Sequence, residues 1–456
     1  MTGAKSFLVF SSLFFYSWWN IDYLPIILVS MLFNYVVGNA LNEKLHKIKI
    51  DKKMLLFFGV LANLLLLGYF KYMDFLIENI NFFIDKDITL PHLVLPLAIS
   101  FFTFQQIAYL VDSYRGETRE YDFLNYALFV TFFPQLIAGP IVHHAEMMPQ
   151  FQTLKNKVKN YHNIALGLFI FSLGLFKKVA IADTFAVWAT QGFDVAKSLN
   201  MLEGWVTSLS YTFQLYFDFS GYTDMAIGIA LLFNIKIPMN FFSPYKATSI
   251  QDFWRRWHIT LSRFLKEYIY IPLGGNRKGS VRTYTNLFTT FVLGGIWHGA
   301  GWTFVFWGIL HGTALVVHRI WHALGLKLPT LLAWFITFNF INIAWVFFRA
   351  MNFESALKVL KGMFMGDFVL PDTLVEYMPN LKEWGLHLGH WSRLYQHETY
   401  LIVWIFAGFV LILAFPNSMQ WKEKFKTNFF YMIFTLVCFL SIFMLYRKSE
   451  FIYFNF

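Results

Sequence analysis

The chain has 456 residues, 57% of them hydrophobic, 21% aromatic and only 14% charged. So little polar surface cannot cover a soluble globule of this size, which excludes an ordinary soluble domain and places the chain in a bilayer. The formal charge of +10 is carried by basic residues dispersed in short loops between apolar stretches; this is how cytosolic loops of membrane proteins are biased, and no nucleic-acid partner is expected.

A membrane-spanning helix needs about 20 mostly apolar residues. Stretches of that kind recur from Phe7 to Tyr446 and predict an all-α polytopic protein with roughly ten or eleven transmembrane helices. Phe7 to Trp19 lacks a small-residue cleavage site and runs into further apolar sequence, so it reads as a retained helix and not as a removable signal. Phe7 to Asn42 predicts a pair of spans, Met54 to Phe75 another, and Leu93 to Val111 a fourth that starts near Pro91 and Pro96. Between Tyr121 and Phe151 the run Thr131-Phe-Phe-Pro-Gln-Leu-Ile-Ala-Gly-Pro140 puts two prolines and a glycine at membrane hydrophobicity. That pattern predicts a broken or re-entrant segment packed inside protein.

Asn163 to Ala182 and Trp205 to Phe233 follow as helices, the second carrying Asp218-Phe-Ser-Gly-Tyr-Thr-Asp224 at its middle. The two carboxylates mark either a helix break near an interface or an internal polar site. Ser243 to Gly279 is amphipathic and too charged to span, so it should form short helices that lie at the interface or dip inward. Thr283 to Trp297, Thr303 to His322, Leu328 to Phe348, Tyr400 to Phe415 and Asn428 to Tyr446 are the remaining predicted spans. Residues 352–398 are the most polar stretch and read as an extramembrane loop or cap on a single domain covering 1–456. Basic clusters at Lys44, Lys47, Lys49, Lys52 and Lys53 and again from Arg255 to Arg282 place both regions on the cytosolic side. The single cysteine, Cys438, excludes a disulfide within the chain.

Two histidine motifs stand out from this background. His298 lies in Gly294-Gly-Ile-Trp-His-Gly299, where small residues let backbones approach and the imidazole can enter a packed cavity. It can serve as a general base toward a hydroxyl, or as a structural histidine bonded across helices. His258 follows Trp254-Arg255-Arg256-Trp257. Two guanidinium groups beside two indoles can take phosphate oxygens and a stacked purine, as coenzyme A offers; the alternative is an interfacial aromatic belt with headgroup-facing arginines. Asp252, Tyr222 and His311 are further polar candidates. His318 and His322 are spaced to share a helix face but have no carboxylate or thiol near in sequence, so no metal site is assigned. His143 and His144 receive no role, and Pro272-Leu-Gly-Gly-Asn-Arg-Lys-Gly279 lacks phosphate-loop spacing and reads as a turn.

Six segments in order carry a family resemblance: Pro96-Leu-Ala-Ile-Ser-Phe-Phe-Thr-Phe-Gln105, Phe133-Pro-Gln-Leu-Ile-Ala-Gly-Pro140, Tyr216-Phe-Asp-Phe-Ser-Gly-Tyr222, Asp252-Phe-Trp-Arg-Arg-Trp-His258, Tyr270-Ile-Pro-Leu-Gly-Gly-Asn276 and Gly295-Ile-Trp-His-Gly299. Together they resemble the motif series of the membrane-bound O-acyltransferase family, and more narrowly the branch that contains the alginate O-acetyltransferase membrane subunit. The resemblance spans nearly the whole chain. It implies helices around a central tunnel, His298 at the catalytic position and His258 at a second active-site position. It also implies a bacterial cytoplasmic (inner) membrane location, with acetyl-CoA as a cytosolic donor substrate and no bound cofactor. Arg255, Arg256, Trp254 and Trp257 are then the donor-binding candidates, in contact with the thioester's nucleotide end. The acceptor implied is a polysaccharide such as peptidoglycan or an alginate-like polymer, reached through an extracytoplasmic SGNH-type partner at the lipid boundary. Members of this branch usually begin with a further hydrophobic segment, whereas this chain opens Met1-Thr-Gly-Ala-Lys, so a first helix is expected to be missing. The rival readings are D-alanyl transfer to teichoic acid and a transporter without chemistry of its own; the latter is disfavoured because no inverted repeat is visible.

Overall fold

The computed structural model describes residues 2–42, 51–118, 120, 122–371, 387–389, 392, 394–395 and 398–445. Lys44, Lys47, Lys49 and much of the expected polar cap therefore lie outside the described residues. In chain order the helices are α1 (Thr2–Ser17), α2 (Leu24–Leu41), α3 (Lys52–Ile84), α4 (Ile99–Arg115), α5 (Phe123–Thr131), α6 (Phe133–Leu136), α7 (His144–Gln152), α8 (Tyr161–Phe176), α9 (Asp183–Thr190), α10 (Met201–Leu232), α11 (Ile250–Arg256), α12 (Ile259–Leu265), α13 (Gly279–His298), α14 (Trp302–Ala323), α15 (Thr330–Arg349), α16 (Phe353–Met365), α17 (Glu398–Leu413), α18 (Ser418–Lys424) and α19 (Phe429–Phe439). Two three-residue strands, Val369–Pro371 and His387–Gly389, pair in parallel.

Among the described residues five helical stretches are long and apolar enough to cross a membrane: Ile21–Leu41, Lys52–Ile84, Tyr161–Val195, Trp302–Ala323 and Thr330–Arg349. Tyr400–Leu413 and Ser418–Lys424, bent by 53° at a short break, make a sixth if taken as one. The hydropathy reading expected ten or eleven, and the difference has a physical source. Helix α10 is 32 residues long but carries Glu203, Gln214, Asp218 and Asp224 on buried faces, and α4 buries 14 of its 17 residues. A helix walled by protein need not be apolar all round, so interior helices escape a lipid-based criterion.

The proline- and glycine-containing stretch after Tyr121 is broken as expected, into α5, α6 and an irregular run to α7. Residues 125–132 are buried throughout, so the broken backbone is surrounded by protein. Asp218 and Asp224 do not mark a helix break, because α10 runs through them without interruption. Both are internal. Lys177 Nζ reaches Asp224 Oδ2 at 2.7 Å, while Lys178 Nζ reaches Asp183 Oδ1 at 2.7 Å and Asp218 Oδ1 at 2.9 Å. The two lysines start a π-helical segment, Lys177–Ala182, whose wider turn follows α8. Close approach of α8 and α10 allows the pairing: a Cβ on Gly174 would lie 2.5 Å from Gly221 O, and one on Gly221 2.7 Å from Gly174 O. The start of the polar stretch expected as a cap is α16, which is packed against α10 and α15.

Helices α13 and α14 form a hairpin that closes at glycines. A Cβ on Gly308 would sit 2.6 Å from Phe291 O, and one on Gly295 2.5 Å from Phe304 O. Gly308→Ala is thus expected to push the pair apart, at a cost of about 1–3 kcal/mol and with loss of activity, because α13 ends at His298. Thermal denaturation in detergent beside an acyl-transfer assay checks this; an unchanged midpoint and rate would contradict it.

Candidate active site

His298 is the last residue of α13 and is 4% exposed. The final carbonyls of a helix have no partner within it, and α3 supplies them here. Lys71 Nζ donates to Trp297 O at 2.6 Å and to His298 O at 3.2 Å, and Tyr72 Oη donates to Ile296 O at 2.6 Å. Lys71 also reaches Ser100 Oγ at 3.2 Å, which ties α4 to the same point. A cation at a helix C-terminus is favourably placed against the helix dipole. The imidazole is enclosed by the rings of Trp297, Phe348 and Trp307, with centroids 4.9, 5.0 and 5.1 Å away.

His258, fully buried, joins α11 to α12 in the left-handed region at φ 42°. A non-glycine residue held there is strained, and the surrounding contacts fix it. Asn240 is the anchor. Its Oδ1 accepts the Thr260 backbone N–H at 3.1 Å and Thr260 Oγ1 at 2.9 Å, and His258 Nδ1 stands 3.0 Å from the same oxygen. A backbone N–H can only donate, so the Asn240 atom is the carbonyl oxygen and His258 Nδ1 carries the hydrogen. The lone pair is therefore on His258 Nε2, which has no hydrogen-bond partner among the described residues. The edge of Phe219 on α10 packs 4.8 Å from the ring. Asn240→Leu is expected to leave the Thr260 N–H unmet, costing about 1–3 kcal/mol, and to release the tautomer; thermal inactivation and turnover in detergent measure both effects.

His311, on α14, is also fully buried. Trp254 Nε1 points at its Nδ1 at 3.1 Å. An indole N–H donates only, so Nδ1 accepts and the hydrogen of His311 is on Nε2. The Trp307 ring links the two motifs, 4.5 Å from His311 and 5.1 Å from His298. Trp257, next to His258, packs 5.0 Å from Trp345, which stacks 5.8 Å from Trp307, so the ring cluster runs from the His258 turn to His298. The structure thus brings His298, His258 and His311 into one aromatic-walled region and adds Lys71, Tyr72 and Asn240, which the sequence reading did not name.

The donor-binding candidates separate. Trp254 and Trp257 do not offer open faces, which corrects the picture of two exposed indoles beside two arginines. Trp254 is engaged by His311 and the edge of Phe291, and Trp257 stacks on Phe253. The amphipathic period of α11 explains it, since Phe253, Trp254 and Trp257 turn inward and Arg255 outward. Arg256 Nε is held by Asp252 Oδ1 at 2.9 Å, so Asp252 is a local partner of that arginine. Arg255 is exposed. Asp218 and Asp224, on α10, pair with the lysines of the π-helical segment after α8, and Tyr222 reaches the backbone of Ala138 in the broken segment. His143 and His144, given no role from sequence, are buried against carboxylates. His143 Nδ1 is 3.0 Å from Tyr268 Oη and 3.5 Å from Asp112 Oδ2, and His144 Nε2 is 3.3 Å from Glu120 Oε2.

The segments that build this region fall within a single family match. A model of the membrane-bound O-acyltransferase family matches residues 111–357, which hold all three histidines. The chain belongs to the membrane-bound O-acyltransferase family. It is an O-acyltransferase and a multi-pass membrane protein. A peptidoglycan O-acetyltransferase of Helicobacter pylori is 59% identical over 390 residues, covering 79% of this chain and 73% of that protein. A probable alginate O-acetylase of Pseudomonas aeruginosa is 41% identical over 366 residues, 78% of this chain and 69% of that one. A teichoic acid D-alanyltransferase of Bacillus subtilis is 27% identical over 281 residues, 58% and 71%. Within the O-acyltransferase frame, the hairpin of α13 and α14 and the turn between α11 and α12 carry the ionisable side chains suited to moving a hydroxyl proton.

Proposed function

We propose that this O-acyltransferase takes acetyl from acetyl-CoA on the cytosolic side and passes it through the membrane for O-acetylation of a cell-envelope polysaccharide, with peptidoglycan as the acceptor polymer. The observation that carries the reading is the buried His298, fixed at the end of α13 by Lys71 and Tyr72, in a chain 59% identical to a peptidoglycan O-acetyltransferase. The 41% identity to a probable alginate O-acetylase supports acetyl as the group moved, and the D-alanyl relative stands further off at 27%.

In this mechanism His298 takes the proton of the attacking hydroxyl, a role typically worth about 10²–10⁴ in rate. The hydroxyl oxygen bonds to the thioester carbon, the carbon–sulfur bond breaks, and the thiolate leaves and regains a proton. Enclosure by Trp297, Trp307 and Phe348 keeps water away, which favours transfer over hydrolysis. Arg255 and Arg256 stand at the entry for the donor phosphates, on the basic stretch that the positive-inside bias puts at the cytosol of the inner membrane. On the far side the acceptor hydroxyl belongs to an extracytoplasmic SGNH-type partner that relays acetyl to the glycan. A relay is favoured because a bulky glycan does not fit a narrow path between packed helices.

The test is release of free coenzyme A from acetyl-CoA by purified protein in nanodiscs, with the extracytoplasmic partner and peptidoglycan fragments present. Release that depends on the partner supports the reading. Intact acetyl-CoA under all conditions, or turnover only with a D-alanyl donor, contradicts it.

A further inference from the structure

Buried polar atoms in folded proteins nearly always find partners, and those that do not call for a specific reason. Around His298 several such atoms collect. His311 Nε2, Trp307 Nε1 and His258 Nε2 have no hydrogen-bond partner among the described residues, and their side chains are between 0 and 1% exposed. Their chemical signs differ. The indole of Trp254 fixes His311 as an Nε2–H donor, Trp307 Nε1–H is a donor by nature, and Asn240 fixes His258 as an Nε2 acceptor. His311 and Trp307 share one helix four residues apart, with ring centroids 4.5 Å apart, and Trp307 packs edge-on to His298. Leaving two N–H donors unmet in an apolar interior is costly unless an acceptor arrives.

We propose that His311 Nε2–H and Trp307 Nε1–H form the oxyanion-stabilising pair of this enzyme, and that Trp254 is the positioning residue that holds His311 in the donating tautomer. The inference rests on the acyl-transfer reading above. When the hydroxyl oxygen attacks the thioester carbon, the carbonyl π electrons move onto its oxygen, and the hydroxyl proton passes to His298. The two N–H groups receive that developing charge; the oxygen then re-forms its double bond as carbon–sulfur cleavage expels the thiolate, which takes the proton back from His298. Donors that are already aligned in a dry site act on the transition state without reorganising. The geometry also explains why Trp254 is turned inward, where it cannot serve as a stacking face for the donor.

Turnover per folded enzyme in nanodiscs, with acetyl-CoA as the probe and the extracytoplasmic partner and peptidoglycan fragments present, tests the proposal. His311→Phe should lower kcat about 10²–10³-fold with little change in the KM for acetyl-CoA. His311→Gln, whose amide can accept from Trp254 and still donate, should recover at least a tenth of wild-type kcat. Trp254→Phe should lower kcat in the wild-type background and have no further effect on His311→Phe, since coupled residues are not additive. Nitrogen-15 NMR of the wild type should show His311 protonated at Nε2, with Nδ1 as the bare nitrogen. Folded His311→Phe with kcat within about twofold of wild type would overturn the proposal. So would His311→Gln no better than His311→Phe, additive losses in the double variant, or an Nδ1–H tautomer. Where His311→Phe does not fold, the kcat of Trp254→Phe alone, which should fall, and the NMR tautomer still decide. An inactive wild type would instead strike at the acetyl-CoA reading and not at this pair.

Discussion

His298→Ala is expected to lower acyl transfer by at least the 10²–10⁴ that a positioned general base supplies, while the protein continues to fold and insert. The separation of effects follows from what holds the residue. Lys71 and Tyr72 bind the backbone carbonyls of Ile296, Trp297 and His298, which alanine retains. What is lost is the imidazole, with its ring contacts to Trp297, Trp307 and Phe348. Size-exclusion behaviour and thermal midpoint should stay near wild type while coenzyme A release falls to background. A variant that retains a tenth or more of wild-type turnover would remove His298 from the role of base. Lys71→Met is the informative partner, because it keeps the imidazole but frees the helix end. Its loss of turnover should come with a lowered midpoint.

Lys178→Met should have the largest effect on stability. Its ammonium pairs with both Asp183 and Asp218, and Asp218 is 1% exposed. Methionine fills the volume but leaves two carboxylates without their cation. Removing one partner of a buried ion pair typically costs about 3–5 kcal/mol. The expected result is low yield of folded protein and inactivation at a much lower temperature in detergent. Replacing Asp218 and Asp183 by asparagine in the same chain should restore part of it, because the uncompensated charges are then gone. Unchanged stability of Lys178→Met would mean that these ion pairs are not what ties the π-helical segment after α8 to α10.

The sequence made the broken segment after Tyr121 legible, because proline and glycine at membrane hydrophobicity leave few alternatives, and the same holds for the short helices between Ser243 and Gly279. His298 and His258 were legible for a related reason: an ionisable ring flanked by small or aromatic residues in an apolar chain is conspicuous. Their partners were less so. Lys71 could have been suspected, since it is a lysine inside the apolar run of α3, but nothing local says that it caps a helix more than two hundred residues away. Asn240 carries no signal at all. Its value comes from three hydrogen bonds that exist only once the chain turns at His258. The Trp254 and Trp257 reading failed because an aromatic beside arginine looks the same in sequence whether it faces a ligand or the core. Helices such as α10 escape a count based on apolar length, because their polar residues meet protein and not lipid.

Sided transfer is the most direct measurement of the central claim. Proteoliposomes holding the protein, with the extracytoplasmic partner and peptidoglycan fragments sealed inside, would receive acetyl-labelled acetyl-CoA outside. Protein orientation would be fixed by protease accessibility of the loop carrying Arg277 and Lys278. The account predicts label on the enclosed glycan, dependent on His298, with coenzyme A left outside. Label that stays outside as acetate or as intact acetyl-CoA, with active protein in the correct orientation, would contradict it.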